Sequence, residues 1–266
     1  PQTIQEVALG ATYMTDLLLV RPNSLPAWVD VTPTSPSHSG AWHSLAFLFR
    51  EAAARVLDVQ TQELRAGIRV SRPGPQVITE LYLADFLENG AGYCTHRGKP
   101  SNFISLVEEV SQFLDELASP PHADRCDSSC YDCLREYNNM LYHPLLDWRL
   151  GRDLFSLILT GSFELDQWAA QEERLARTFA DTFGGKRRQT GAGVWTVELP
   201  DASLLIVTHP LELQSDEDHL SPRLGDAVAE AKRGILRPES DRGIVFGDTF
   251  NLLRRPGWIA AKVLVS

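Results

Sequence analysis

Three of the four cysteines in this 266-residue chain fall within eight positions, as Cys126, Cys130 and Cys133 in the spacing C-x3-C-x2-C. The fourth, Cys94, comes earlier, at the end of the glycine-bearing run "ENGAGYC" (88–94). Thiolates this close in a tight turn can grip one ion, and a structural zinc closes a tetrahedron with four sulfur or nitrogen ligands. Cys94 is the natural fourth ligand, with His96, His122 and His143 as spare candidates. Such a site would clamp the end of a strand to the segment after the second helix.

Other chemistry fits three thiols. The same spacing resembles the cluster motif of radical S-adenosylmethionine enzymes, but that family places it early, ahead of a long series of βα units. Here it lies mid-chain and the downstream sequence does not alternate that way. Four cysteines could also hold a structural iron–sulfur cluster. "CYDC" as a redox pair lacks a surrounding βαβ pattern, and a catalytic thiolate would need His143 as its base. Four cysteines are too sparse for a disulfide scaffold, so their clustering points to metal in a reducing compartment and to the cytoplasm.

The rest of the chain reads as alternating elements. "ATYMTDLLLV" (11–20) is strand-like and ends at "RPNSLPAW". "AWHSLAFLFREAAARVLDV" (41–59) is an amphipathic helix with Leu45, Leu48, Ala52 and Val56 on one face and Ser39 or Ser44 as its cap. "QELRAGIRV" (62–70) and "QVITELYLAD" (76–85) are strands parted by the turn "SRPGP". "NFISLVEEVSQFLDEL" (102–117) and "LLDWRLGRDLFSLIL" (145–159) are further helices. Beyond "TGSFELD" the pattern predicts a charged helix (166–183), a flexible basic loop "GGKRRQTGAG", a hairpin, a helix "LGDAVAEAKRG" and two closing strands, "GIVFGDTFNLL" and "WIAAKVLVS". The expected architecture is α/β (α+β), a mixed sheet flanked by helices around a four-cysteine zinc site. A smaller C-terminal α/β domain follows, with the helix–strands–helix–strand layout of restriction endonucleases. The expected boundary near residue 162 divides 1–162 from 163–266.

The formal net charge of −10 argues against a domain that holds DNA unaided. Any nucleic-acid contact must be local or shared with a more basic partner. No run approaches a membrane span, and the start "PQTIQEVALG" has no signal core. It also has no initiator methionine, so the sequence reads as a fragment or a processed chain.

The stretches "ELYLADFLENGAGYC" and "SCYDCLREYNNMLYHPLLDWRL" resemble the four-cysteine domain of unknown function found C-terminal to superfamily-two DEAD/DEAH-box helicase cores. That domain occurs in the mitomycin-repair type of DNA helicase and in phage-defence systems such as DISARM and Druantia. The resemblance spans about residues 9–160. It implies zinc on Cys94, Cys126, Cys130 and Cys133, and a domain that supports a motor and helps handle DNA. No G-x-x-x-x-G-K-[ST] loop is present, so the motor belongs elsewhere in the same polypeptide or in a partner, with defence-system subunits as further expected partners.

No catalytic residue is assigned. A metal-dependent nuclease needs converging carboxylates and a lysine as D…[DE]-x-K. Glu80 is followed two places on by Tyr82, Glu198 by Pro200 and Glu212 by Gln214, so with Asp85 these read as solvated or capping acids. Candidate DNA contacts are Arg135, Asn138, Arg149 and Arg152 just after the cysteines, interleaved with Tyr137 and Trp148, and the basic run Lys186, Arg187 and Arg188. The composite expectation is a zinc-stabilised, non-catalytic accessory region of a DNA helicase or translocase, supporting the motor and guiding DNA in phage defence or DNA repair. A divergent nuclease and a protein-binding adaptor are the alternatives.

Overall fold

The computed structural model describes residues 12, 14–74, 77–234 and 243–265. Residues 11 and 13 of the first expected strand, part of the "SRPGP" turn and the chain's first and last residues lie outside these. Strand β1 (Leu17–Val20) leads to the long helix α1 (Pro36–Leu57) and then to β2 (Leu64–Ser71) and β3 (Ile78–Asp85). Short α2 (Tyr93–Arg97), long α3 (Pro100–Ala118), the single turn α4 (His122–Arg125) and α5 (Trp148–Thr160) follow.

Helix α1 starts earlier than its periodicity suggests. Ser35, not Ser39 or Ser44, is the cap: its Oγ accepts from the His38 amide at 3.1 Å, and Pro36 occupies the first turn, where no amide is needed. Asp58 ends it in the left-handed conformation, φ 56°. Nearly every side chain from Ser37 to Ala54 is buried, because α1 packs against α3, α5, β2 and β3. The sheet has order β1-β3-β2 and is antiparallel throughout. Leu81 and Leu83 of the central strand lie opposite Ile68 and Ala66 on one side and Val20 and Leu18 on the other.

The second half comprises α6 (Ala169–Phe183), β4 (Lys186–Gln189), β5 (Trp195–Glu198), β6 (Leu204–Thr208), α7 (Pro222–Gly234), β7 (Ile244–Asp248), α8 (Thr249–Arg254) and α9 (Pro256–Val265). Its sheet runs β4-β5-β6-β7, antiparallel except for the parallel pair β6 and β7, which α7 bridges as a crossover. Leu175 and Phe179 of α6 pack with Leu205, Val207, Ile259 and Val263, whereas Ile206 packs with Leu224 and Val228 of α7. Helices thus cover both faces, and the sheets-flanked-by-helices class expected from sequence is what forms.

Two local expectations are corrected. The basic run Lys186–Gln189 is an edge strand, paired in register with β5, and not a loop. Residues 258–265 of "WIAAKVLVS" are helical, forming most of α9, and "GIVFGDTFNLL" is strand only as far as Asp248. Asp248 itself ends β7 and caps α8, accepting from the Asn251 amide at 2.9 Å. The halves share a core: Leu211 and Phe250 from the second belong to the apolar cluster built around α1 and α5.

Candidate metal centre

The turn α4 places His122 and Cys126 four residues apart, one helical turn, so their side chains share a face. The chain then doubles back through Cys130 and Cys133, whose amides and carbonyls close a tight knuckle. The Leu134 and Arg135 amides both donate to the Cys130 carbonyl, and the Cys130 amide donates to Cys133 Sγ at 3.1 Å. The four potential ligand atoms of His122, Cys126, Cys130 and Cys133 all lie within 4.8 Å of one another.

The spacings fit one ion. Cys126 and Cys133 Sγ are 3.9 Å apart, Cys130 and Cys133 Sγ 3.6 Å, and Cys130 Sγ lies 3.5 Å from His122 Nε2. A tetrahedral zinc with Zn–S about 2.3 Å and Zn–N about 2.0 Å requires S···S edges of roughly 3.8 Å and S···N edges of roughly 3.5 Å. The imidazole is also oriented for the task. His122 Nδ1 donates to the Leu117 carbonyl at 2.8 Å, which leaves the Nε2 lone pair facing the thiols.

The thiols interact electrostatically. A hydrogen bond from the Cys133 thiol, working against burial and aided by Cys130 and His122, draws the Cys126 pKa down to about 6. Cys133 is pushed up, first by its bond to Cys126 and then by burial, and burial also raises Cys130. One thiolate therefore forms readily while its neighbours resist joining it. A divalent cation would remove that resistance, because it offsets the like charges.

The start of α5 buttresses α4 and the turn that follows it. Arg149 donates to the carbonyls of Cys126 (2.9 Å), Asp127 (3.0 Å) and Ala123 (3.3 Å). Trp148, only 1% exposed, lies edge-on to His122 and donates from its amide to the Ser128 carbonyl. Both Arg149 and Arg152 lie over its ring. Tyr137, by contrast, is 81% exposed, so only one of the two aromatics packs around the cysteines.

Cys94 stands apart from this group. It is buried at the start of α2, where the Asp85 carboxylate accepts from the amides of Ala91, Tyr93 and Cys94. Burial first, and the facing Asp85 carboxylate second, push the Cys94 thiol far up. The gathered fourth donor is His122, a spare candidate from sequence. Its signal was the four-residue step to Cys126 immediately after "SPP", the spacing of one helical turn. His143 donates instead to Asn139 and the Glu136 carbonyl, and His96 sits beside Asn102.

The candidate DNA contacts scatter. Arg135 donates to Ser129 Oγ at 2.9 Å, Asn138 is exposed, and Arg152 lies 4.0 Å from Asp153. In the edge strand, Arg187 pairs with Glu173 at 3.0 Å and Arg188 with Glu230 at 2.8 Å, while Lys186 sits opposite Glu198. The acids weighed for nuclease chemistry also lie apart. Glu80 faces Arg69 and Arg21, Asp85 holds the α2 turn, Glu198 is exposed, and Glu212 is gripped by Arg223 and Ser221. Among the described residues, no helix is long and apolar enough to cross a membrane.

No family model matches the chain, and no solved structure matches it. It is similar to the Druantia protein DruE of Escherichia coli (strain UMEA 4076-1), with 31% identity over 168 residues. The match covers 59% of this chain and 8% of that protein, so the chain spans only a small fraction of its relative's length.

Proposed function

We propose that this chain is a zinc-braced accessory region of a phage-defence DNA helicase or translocase, supporting the motor and guiding DNA without catalysing a reaction itself. Carrying most weight is the convergence of His122, Cys126, Cys130 and Cys133 at tetrahedral spacing. Similarity to a Druantia protein supports the defence setting. The motor would lie in the same polypeptide or a partner, and the division near residue 162 would separate the zinc-bearing part from a C-terminal α/β part. When bound, zinc would supply cross-linking: it would tie the Cys130–Cys133 knuckle to α4, whose end Arg149 in turn ties to α5.

Elemental mass spectrometry of the purified chain tests the metal. About one zinc per chain is the expected stoichiometry of a single four-ligand site. His122→Ala and Cys126→Ser should each lose the metal, and EDTA should lower the thermal midpoint of the wild type. Cys94→Ser should keep its zinc. Loss of zinc from Cys94→Ser with retention in His122→Ala would return the fourth ligand to Cys94. Iron with sulfide in place of zinc would overturn the brace.

A further inference from the structure

Strands β6 and β7 run parallel and end together at Thr208 and Asp248. In open α/β sheets, ligands bind in the crevice beyond the carboxyl ends of such strands. A cleft of about 400 Å³ opens there, lined among others by Asp30, His38, Asp248, Arg255, Trp258 and Lys262. It belongs neither to the metal centre nor to any of the candidate DNA contacts assigned above.

Its lining carries both signs of charge. Arg255 and Lys262 lie on the ring of Trp258, at 4.0 and 3.8 Å from its centroid, and the indole is 41% exposed. Among the described residues neither cation forms an ion pair; the Arg255 guanidinium donates to the neutral Asn251 Oδ1 at 2.6 Å. The indole therefore holds two positive charges at the cleft. Arg255 also acts electrostatically on the Asp248 carboxylate, two hydrogen bonds away through Asn251, so Lys262 is the freer of the two. Asp30 accepts from the Thr32 amide at 2.8 Å through Oδ1, and its side chain is one-third exposed. His38 Nδ1 lies 4.0 Å from the same Oδ1. Among the described residues the other oxygen accepts no hydrogen bond, so it can accept from a ligand.

A ligand for this lining carries an anion for Arg255 and Lys262 and hydrogen-bond donors for Asp30. A divalent cation is disfavoured, because these acids do not gather with a third ligating group among the described residues. An acidic peptide would meet the cations but be repelled by Asp30 and Asp248. A nucleotide whose base bears an exocyclic amine meets both demands, since carboxylates accept from cytosine N4 and basic side chains bind phosphate. A volume of about 400 Å³ lies within the range of small-ligand sites.

We propose that this cleft receives one unpaired, amino-bearing nucleotide, its base edge accepted by Asp30 and its phosphate held by Arg255 and Lys262. The inference rests on the strand-guiding reading above and gives it a location. Free nucleotides and unpaired strands share this chemistry, so the test separates them.

Fluorescence anisotropy of the full chain with labelled oligodeoxycytidylate and oligothymidylate reads the site, using Lys262→Glu and Asp30→Asn. Both substitutions leave the apolar core intact, and urea midpoints check the fold. Oligodeoxycytidylate should bind about tenfold tighter than oligothymidylate, and Asp30→Asn should erase that preference. Lys262→Glu should weaken both by about tenfold. Equal affinities in the wild type, or indifference to Lys262→Glu, would overturn the proposal. Oligonucleotide binding that ignores both variants but collapses on charge reversal at Lys186 would sink the cleft and leave strand guidance standing. Cytidine monophosphate binding that falls in both variants, without oligonucleotide binding, would keep the cleft and remove strand guidance. Binding of neither probe would overturn the cleft.

Discussion

His43 shows what one buried side chain does to pH stability. It lies on α1 with its ring 4.2 Å from that of Tyr142, and among the described residues its Nδ1 has no hydrogen-bond partner. Burial lowers its pKa from 6.5 to about 4. The unfolded chain therefore takes up a proton that the folded chain refuses. Stability from the neutral ring is present above pH 6.5 and is lost as pH falls toward 4, by about 3 kcal/mol in total. Asp147 works in the opposite sense: burial, only partly offset by Arg254, raises its pKa from 3.8 to about 6. Its contribution is present below pH 3.8 and is lost as pH rises through 6. Urea unfolding at pH 7 and pH 5 checks the histidine. His43→Phe should lose less stability than wild type between the two, and an identical loss would remove His43 as the cause.

Among the elements, the contact between α1 and α5 holds the metal knuckle in place. Gly151 makes it possible: a Cβ there would meet Leu48 Cδ1 at 2.8 Å and the Leu45 amide nitrogen at 3.2 Å. Gly151→Ala would gain about 1 kcal/mol of helix propensity but lose about 1–3 kcal/mol to overpacking. Gly151→Val should be worse and should lower the thermal midpoint. Because Trp148 and Arg149 start α5, metal retention should fall with it; full retention would detach the knuckle from this contact. Elements that rest on their own periodicity, such as α1, α3 and α5, were legible in the sequence. Those that depend on partners were not. "KRRQ" has no apolar alternation, and only the β5 ladder makes it a strand. "WIAAKVLVS" is a short apolar run, for which periodicity cannot separate strand from buried helix. The three clustered cysteines were legible from spacing, whereas the fourth donor depended on a four-residue helix that carries little sequence signal.

At the scale of the whole molecule, a buried polar network joins α5 of the first half to α6, α7 and the segment after β6 in the second. Asp153 of α5 accepts from Trp168 Nε1 at 2.7 Å and from His209 Nε2 at 2.9 Å, while His209 Nδ1 accepts from the Leu211 amide. The His209 amide donates to Glu212, which Arg223 grips through two nitrogens, and Arg223 also reaches Glu172 of α6. Burial would raise both acids. The paired contact brings Glu212 below its ordinary range, whereas the single bond leaves Glu172 raised. Arg223 thus compensates two carboxylates that have almost no access to water. Arg223→Met would keep the apolar stem and strand both charges, which costs about 3–5 kcal/mol in comparable buried pairs. Protonation is then the remaining relief, so the deficit should shrink as pH falls from 7 to 5, when the stranded acids neutralise at less cost. Paired urea titrations of wild type and variant would show this as converging midpoints. A deficit that stays constant across that range would mean that the carboxylates find water when Arg223 is gone, and that the packing of α5 against the second half is looser than its hydrogen bonds suggest.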